Sequence, residues 1–269
     1  MRSAQNQRLR TIGLGRVQAM ASLPLLCSQA VTETILITGI SSGIGKALCL
    51  EYLRRGARVY AIGRSDLEPA DVPERPNFIA QDLSQLEAIP AALDKLLCGV
   101  PTLDRVILNA GVLGPIRDLR DTPMHQLRAV MDLNTWANKA IVDSLVSLGV
   151  EFKQVIGISS GAAVSGNRGW NSYSLSKAAF LMLLRLYAAE LPATHFCSLA
   201  PGLVDTAMQD YLCGLDREHA IRFPSVARIQ GARGTINMPG PDELAPRLIA
   251  AFDTVRDQPS GAFIDIRKM

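Results

Sequence analysis

Short β-branched apolar runs alternate with longer amphipathic stretches along most of this chain. Thr34–Thr38 (TILIT) is a β-rich run, followed by a good helix sequence over 46–55 that stops at Gly56. Arg58–Gly63 reads as a second strand, 77–81 as a third and Arg105–Leu108 as a fourth, with a helix around 91–97. A long helical pattern covers 124–148, its apolar stripe running through Leu127, Met131, Ala137, Ile141 and Leu145. A fifth strand at 155–159 precedes a helix over about 173–191, and a sixth strand covers 196–199. The segment 206–240 lacks clean periodicity and reads as an inserted cover. Helix returns at 241–252, and 262–266 supplies a last strand. Strands alternating with helices predict an α/β fold: a Rossmann-like, doubly wound parallel sheet of about seven strands with helices on both faces, in one domain over 31–269. The part of the helix from Ala178 to Leu184 is apolar on every side, which predicts burial by the sheet on one face and a second subunit on the other.

Composition narrows the class. Among 269 residues, 48% are hydrophobic and 20% charged, the balance of an ordinary folded α/β protein. The net charge is only +3, with no long basic run and no interleaved aromatics, so no nucleic-acid role is expected. No stretch reaches the roughly 20 apolar residues of a membrane helix. The five cysteines are scattered and never spaced as Cys-x-x-Cys, which fits free thiols in a reducing compartment. His125, His195 and His219 lie far apart, so no metal site is expected and each reads as a surface or loop residue. Arg2, Arg8, Arg10 and Arg16 precede the first acid, Glu33. That bias suits an organelle transit peptide. A poorly ordered tail over 1–30, or a start at Met20, is the preferred expectation, because 20–27 contains Pro24 and no sustained amphipathic period. The expected location is cytoplasmic, or an organelle if the tail is a transit peptide.

Candidate chemistry gathers at the carboxyl ends of the expected strands. After the first strand comes a glycine-rich turn, Thr38-Gly39-Ile40-Ser41-Ser42-Gly43-Ile44-Gly45, leading into a helix. Glycines there let backbone approach a pyrophosphate, and the helix start offers N–H donors and a positive dipole end. The end of the second strand is where NAD-binding units place an acid for the ribose hydroxyls; here it carries Gly63 and Arg64, and a guanidinium suits a 2′-phosphate, hence NADP(H). Asp82 and Leu83 follow the third strand. Asn109, Ala110 and Gly111 follow the fourth, small enough for a flat ligand to lie against backbone. Asn134 falls on the apolar stripe and needs partners. It fits a structural hydrogen bond, a kink or a held water. Ser159 and Ser160 end the fifth strand. Tyr173 and Lys177 stand four apart on one helical face, where an ammonium beside a phenol favours the phenolate.

Together these pieces resemble the short-chain dehydrogenase/reductase family from about Thr34 to the end of the chain. Thr38, Gly39, Gly43, Ile44 and Gly45 match its cofactor turn. Asn109-Ala110-Gly111 matches its segment after the fourth strand, with Leu108 where a second Asn is usual. Asn134, Ser160, Tyr173 and Lys177 match its catalytic tetrad, and Pro201-Gly202 with Val204 and Thr206 matches the segment beside the nicotinamide. The resemblance implies that Tyr173 protonates a substrate carbonyl, Ser160 donates to the same oxygen, Lys177 lowers the Tyr pKa and holds the nicotinamide ribose, and Asn134 holds a relay water. The run from Gly169 and Trp170 to Lys177, with 201–209, is similar to the sepiapterin reductase and benzil reductase branch. An NADPH-dependent reductase of a small ketone or dicarbonyl compound is therefore expected, as a homodimer or homotetramer. Ser160, Tyr173 and Trp170 would bound the substrate, with walls from Val164, Tyr211, Leu212, Leu215 and Phe223. Asn167 and Arg168 are expected in a solvated loop. A 3-oxoacyl-carrier-protein reductase is the enzymatic alternative, kept open by Arg217, Arg222, Arg228 and Arg233. A catalytically silent dinucleotide sensor or scaffold is the alternative of another class.

Overall fold

The computed structural model describes residues 32–68 and 74–269. The expectations for the tail over 1–30 fall outside the described residues. The first half runs β1 (Thr34–Thr38), α1 (Gly43–Arg54), β2 (Arg58–Gly63), β3 (Asn77–Ala80), α2 (Ile89–Leu96), β4 (Thr102–Leu103), β5 (Arg105–Leu108), α3 (Met124–Met131) and α4 (Ala137–Ser147). The second runs β6 (Glu151–Phe152), β7 (Gln154–Ile158), α5 (Asn171–Glu190), β8 (His195–Ala200), α6 (Ala207–Cys213), α7 (Arg217–Arg222), α8 (Pro224–Ala232), α9 (Pro241–Thr254) and β9 (Ala262–Asp265).

Seven strands form one sheet in the order β3-β2-β1-β5-β7-β8-β9, and every pairing in it is parallel. The chain winds outward from β1 to β3, returns to β5 beside β1, and winds the other way to β9. That reversal opens a crevice beyond the carboxyl ends of β1 and β5, where ligands of such sheets sit. The doubly wound parallel architecture expected from the sequence is what the chain adopts. The two-residue strands β4 and β6 pair separately and are too short to show any periodicity.

Parallel strands need cover on both faces, and β5 and β7 are accordingly buried throughout. One face packs Ile35, Ile37 and Ile156 against Leu48 and Tyr52 of α1 and Leu248 and Phe252 of α9. Two buried thiols, Cys49 of α1 and Cys197 of β8, lie in this layer. The other face packs Leu36, Val106 and Val155 against α2, α4 and α5. Each fully buried Leu, Ile or Phe contributes about 1.5–3 kcal/mol, so these two layers hold the sheet rigid under the crevice. Gly157 lets α5 come close: a Cβ there would lie 2.6 Å from both Phe180 and Leu184.

The apolar run of α5 divides between two environments. Tyr173, Lys177, Phe180, Leu181 and Leu184 are buried, while Leu175, Met182 and Leu186 are about half exposed. The single helix expected over 124–148 is interrupted by a π-helical turn, Asp132–Trp136. Its cause is side-chain bonding: Asn134 bonds out to Val112, and the Asn138 amide donates to the Asn134 carbonyl at 2.8 Å. Such turns mark functional sites in many proteins. The segment expected to be irregular forms three short helices, α6 to α8. Leu212, Phe223, Val226 and Ile229 are buried there in a third cluster that includes Tyr173.

Candidate active site

The turn after β1 is built so that backbone, not side chains, faces the crevice. Gly39 and Gly43 have φ of +72° and +56°, the region that favours glycine. A Cβ on Gly45 would lie 2.0 Å from the Gly39 carbonyl oxygen, so that position accepts nothing larger. Thr38 ties the turn to the next strand, its hydroxyl accepting the N–H groups of both Asn109 and Ala110 at 2.9 Å. The Asn109 amide donates to the carbonyls of Thr38 and Gly39 at 3.0 and 2.9 Å. Ser41 and Ser42 are exposed at the start of α1, and the Ser42 side chain caps none of its N–H groups. The first-turn donors around Gly43, Ile44 and Gly45 are therefore available to an anion, as a pyrophosphate requires.

Arg64 follows β2, exposed, and makes no ion pair among the described residues. Asp82 lies close enough to feel its charge. Hydrogen bonds from the Ser84 N–H and hydroxyl hold the Asp82 carboxylate below its usual range, and Arg64 adds a smaller attraction. Leu83 is buried beside it. At the other end of the crevice Thr206 reaches the glycine turn, its Cγ2 lying 3.3 Å from where a Cβ on Gly43 would sit. Pro201 and Val204 are buried, and Gly202 has φ of +83°. The residues present thus fit a dinucleotide: a donor-rich turn, small residues behind it and a cation at one end.

Ser160, Tyr173, Lys177 and Asn134 converge at the carboxyl end of β7. Ser160 caps a short turn, its Oγ accepting the Ala162 N–H at 3.1 Å. That leaves its proton free to bond the Tyr173 oxygen. Burial pushes the Tyr173 phenol up to about 12, and the Ser160 hydrogen bond offsets only part of this. Ser160, not Ser159, meets Tyr173; the Ser159 hydroxyl is buried and has no partner among the described residues. The Lys177 ammonium donates to the Ile158 carbonyl at 2.8 Å and lies 5.7 Å from the centre of the Tyr173 ring. With no carboxylate beside it, burial pulls its pKa down to about 8. The Lys177 ammonium, turned toward a backbone carbonyl, adds nothing to the Tyr173 shift in this arrangement, and desolvation dominates it.

Asn134 is fully buried, and its amide is saturated. It donates to the Val112 carbonyl at 2.8 Å and the Ser176 hydroxyl at 2.9 Å, and accepts the Val112 N–H at 2.8 Å. Of the readings open for it, the structural hydrogen bond is what the side chain makes: it clamps the loop after β5 to α5, one residue from Lys177. Gly111 allows the approach, since a Cβ there would lie 3.0 Å from Asn134 Oδ1 and 3.7 Å from Lys177 Nζ. Ser176 and the Ile158 carbonyl went unread in the sequence. A backbone oxygen carries no residue-type signal, and Ser176 shows its role only once α5 faces Asn134.

Around the tetrad, the Trp170 ring lies 5.9 Å from that of Tyr173, and its indole N–H donates to Ser225 at 2.6 Å. Val164, expected in the pocket wall, is 63% exposed, whereas Leu212 and Phe223 pack inside the cover. Arg168 is exposed in a loop, as expected, but it is not free. It grips Asp118 with two hydrogen bonds of 2.6 and 2.8 Å, and Arg222 of α7 reaches the same carboxylate at 2.5 Å. The two guanidinium groups hold Asp118 well below the usual carboxylate range and tie the cover to the body. Arg233 is likewise bonded to Asp210 and to Asp205. Of four arginines considered for docking an acidic carrier, only Arg217 and Arg228 lack an ion pair among the described residues. His125 is exposed, half-buried His219 bonds Asp216, half-buried His195 bonds the Gln258 carbonyl, and the described residues contain no cluster of metal-ligating side chains.

Comparison with known proteins agrees with this arrangement. The family model described as short chain dehydrogenase matches residues 33–213. An uncharacterised oxidoreductase of Schizosaccharomyces pombe is 33% identical over 186 residues, covering 68% of this chain and 75% of its own. Benzil reductase ((S)-benzoin forming) of Bacillus subtilis is 27% identical over 249 residues, covering 88% and 99%. Among solved structures, a putative short chain dehydrogenase of Shigella flexneri complexed with NADP superposes with a TM-score of 0.68 at 23% identity, covering 87% of this chain and 97% of that one. The parallel sheet, the glycine turn and the matched span leave one assignment: the chain belongs to the short-chain dehydrogenase family of oxidoreductases.

Proposed function

We propose that the chain is an NADPH-dependent carbonyl reductase acting on a small ketone or dicarbonyl compound, with Tyr173 as proton donor. The observation that carries this reading is the buried Tyr173 phenol, held beside Ser160 at the carboxyl end of β7 and kept protonated by burial. A phenol still protonated at neutral pH can give its proton to an alkoxide, the stronger base, and a cation brought beside it would make it the better donor. Ser160 would donate to the same oxygen, a fixed dipole where charge develops. The bound nicotinamide supplies the hydride. Lys177 would turn its ammonium from the Ile158 carbonyl toward the ribose and the phenol, and Asn134 would keep the loop around Gly111 and Val112 in place. Gly39, Ser41, Ser42, Gly43, Ile44, Gly45, Asp82, Leu83, Asn109, Ala110, Gly111, Pro201, Gly202, Val204 and Thr206 would line the cofactor.

Three points support the finer assignment. Arg64 makes no ion pair among the described residues and would face a 2′-phosphate. The Shigella flexneri structure holds NADP, and the Bacillus subtilis relative reduces benzil. Trp170 beside Tyr173 adds an aromatic wall suited to a flat carbonyl compound. Arg222 and Arg233, being neutralised by carboxylates, offer little to an acidic carrier protein. We further assign the half-exposed Leu175, Met182 and Leu186 of α5 to a subunit contact giving a homodimer or homotetramer.

The test is NADPH consumption with benzil and with an acetoacetyl thioester, repeated with NADH. Faster turnover with benzil and NADPH is expected. Efficient thioester reduction with negligible benzil turnover would transfer the assignment to an acyl-carrier-protein reductase. No turnover on any carbonyl, with NADPH still bound, would favour a silent dinucleotide sensor.

A further inference from the structure

A cavity of about 420 Å³ opens between the segment after β8, α8, the first turns of α9 and the C-terminal residues. Its size falls within the range of small-molecule sites, roughly 300–1,000 Å³. None of Asn134, Ser160, Tyr173 and Lys177 lines it; of the cofactor candidates, Pro201 and Gly202 do. Three guanidinium groups rim it, those of Arg228, Arg247 and Arg267, and no acidic side chain is among its lining residues. Arg267 is answered by Asp265 at 2.8 and 2.6 Å. Arg228 and Arg247 make no ion pair among the described residues.

Around the cover most arginines are matched, Arg217 excepted. Arg168 and Arg222 share Asp118, and Arg233 takes Asp205 and Asp210. Two unmatched arginines on one concavity concentrate positive potential there, and an anion relieves their mutual repulsion. The planar guanidinium fork suits a carboxylate in particular. The wall is mixed: Asn237 lines it with Leu203, Leu244 and Ile266, and Ile236 stands at its edge 92% exposed. A simple inorganic ion would leave that apolar surface wet.

We propose that this cavity binds an organic acid, its carboxylate on Arg228 and Arg247 and its apolar body on Leu203, Leu244 and Ile266. The site shares Pro201 and Gly202 with the cofactor crevice but none of the catalytic residues, and it does not depend on the reaction assigned to them.

Isothermal titration of the full chain with sodium octanoate, and with 1-octanol as the uncharged match, tests this. Octanoate is expected to bind saturably with one site per chain. Charge-assisted contacts predict that it binds at least roughly tenfold tighter than octanol. The double variant Arg228→Ala, Arg247→Ala should lose octanoate binding by a similar factor while keeping its melting temperature and NADPH affinity, because both side chains are exposed. Saturating NADPH should leave octanoate binding in place. Equal binding of octanol, unchanged binding by the double variant, or one-for-one displacement by NADPH would each overturn the proposal. The readout is binding alone, so a protein inactive as a reductase could still pass, and an active one could fail.

Discussion

Two buried cations stand at opposite ends of the sheet, and the protein treats them differently. Arg105 begins β5 at the amino end and is 3% exposed; Lys177 lies at the carboxyl end and is 4% exposed. Arg105 donates to Gln154 at 2.7 Å, Tyr52 at 2.5 Å and Asp253 at 2.6 Å, and its guanidinium lies 5.6 Å from the centre of the Phe252 ring. Burial disfavours its charge, but Tyr52, Glu33 and Asp253 outweigh burial and raise its pKa. Lys177 has one carbonyl and no carboxylate, so burial wins and its pKa falls. A buried charge with each of its nitrogens bonded is structural. One left short of partners is poised for change.

The comparison is most sharply tested at Tyr173. Removing only the phenol oxygen in Tyr173→Phe should cut turnover by about 10²–10⁴-fold, the usual worth of a positioned general acid, with NADPH affinity and unfolding midpoint little changed. Retained activity in steady-state assays would remove the tetrad from the carboxyl end. Arg105→Ala should do the reverse, lowering stability in urea titration by somewhat less than the ~3–5 kcal/mol of a broken buried pair while NADPH binding survives. The cost stays below that range because Asp253 is 66% exposed and can return to water.

Lys177 should make stability depend on pH. Its folded pKa of about 8 lies below its ordinary 10.5, so between these values the folded state binds fewer protons than the unfolded one. The Lys177 contribution to stability should therefore rise as pH goes from 8 toward 10, by up to roughly 3 kcal/mol at about 1.4 kcal/mol per unit. The buried thiols Cys49 and Cys197, raised to about 12, oppose it above pH 9, and Tyr173 opposes it above pH 10. Denaturation of wild type and Lys177→Met side by side at pH 7.5 and 9, both free of cofactor, isolates the rise, which only wild type should carry. The smallest effect belongs to Arg64, at the far end of the crevice and in open solvent. Arg64→Ala should weaken NADPH binding by about 1.5–3 kcal/mol and leave NADH binding nearly unchanged. Equal losses for both cofactors would detach Arg64 from the 2′-phosphate.

How legible each feature was follows from how local its cause is. β2 and β5 were read to the residue, because strands buried on both faces must be continuous apolar runs bounded by turn residues. Tyr173 and Lys177 were readable as a pair because a helix brings such spacing together unaided. The π-helical turn was not, since it follows from Asn134 bonding to Val112 across the fold. Arg105 passed as an ordinary first residue of a strand, its partners lying 49, 53 and 148 residues away. The ion pair of exposed Arg168 was illegible because Asp118 lies 50 positions earlier. The cover was taken for an irregular flap because its helices are short, and their apolar faces make sense only against Tyr173 and Ile116.

The distribution of thiols turns this architecture into its own set of clocks. Cys98 is exposed, Cys213 sits half-covered on α6, and Cys49 and Cys197 are buried in the layer between the sheet, α1 and α9. Burial raises the last two to about 12, so neither reacts while that layer is closed. An alkylating reagent would mark Cys98 at once, Cys213 at the pace of cover opening, and Cys49 with Cys197 only as the sheet's own layer parts. Peptide-resolved labelling over time would then rank the openings of surface, cover and core in one sample of unaltered protein.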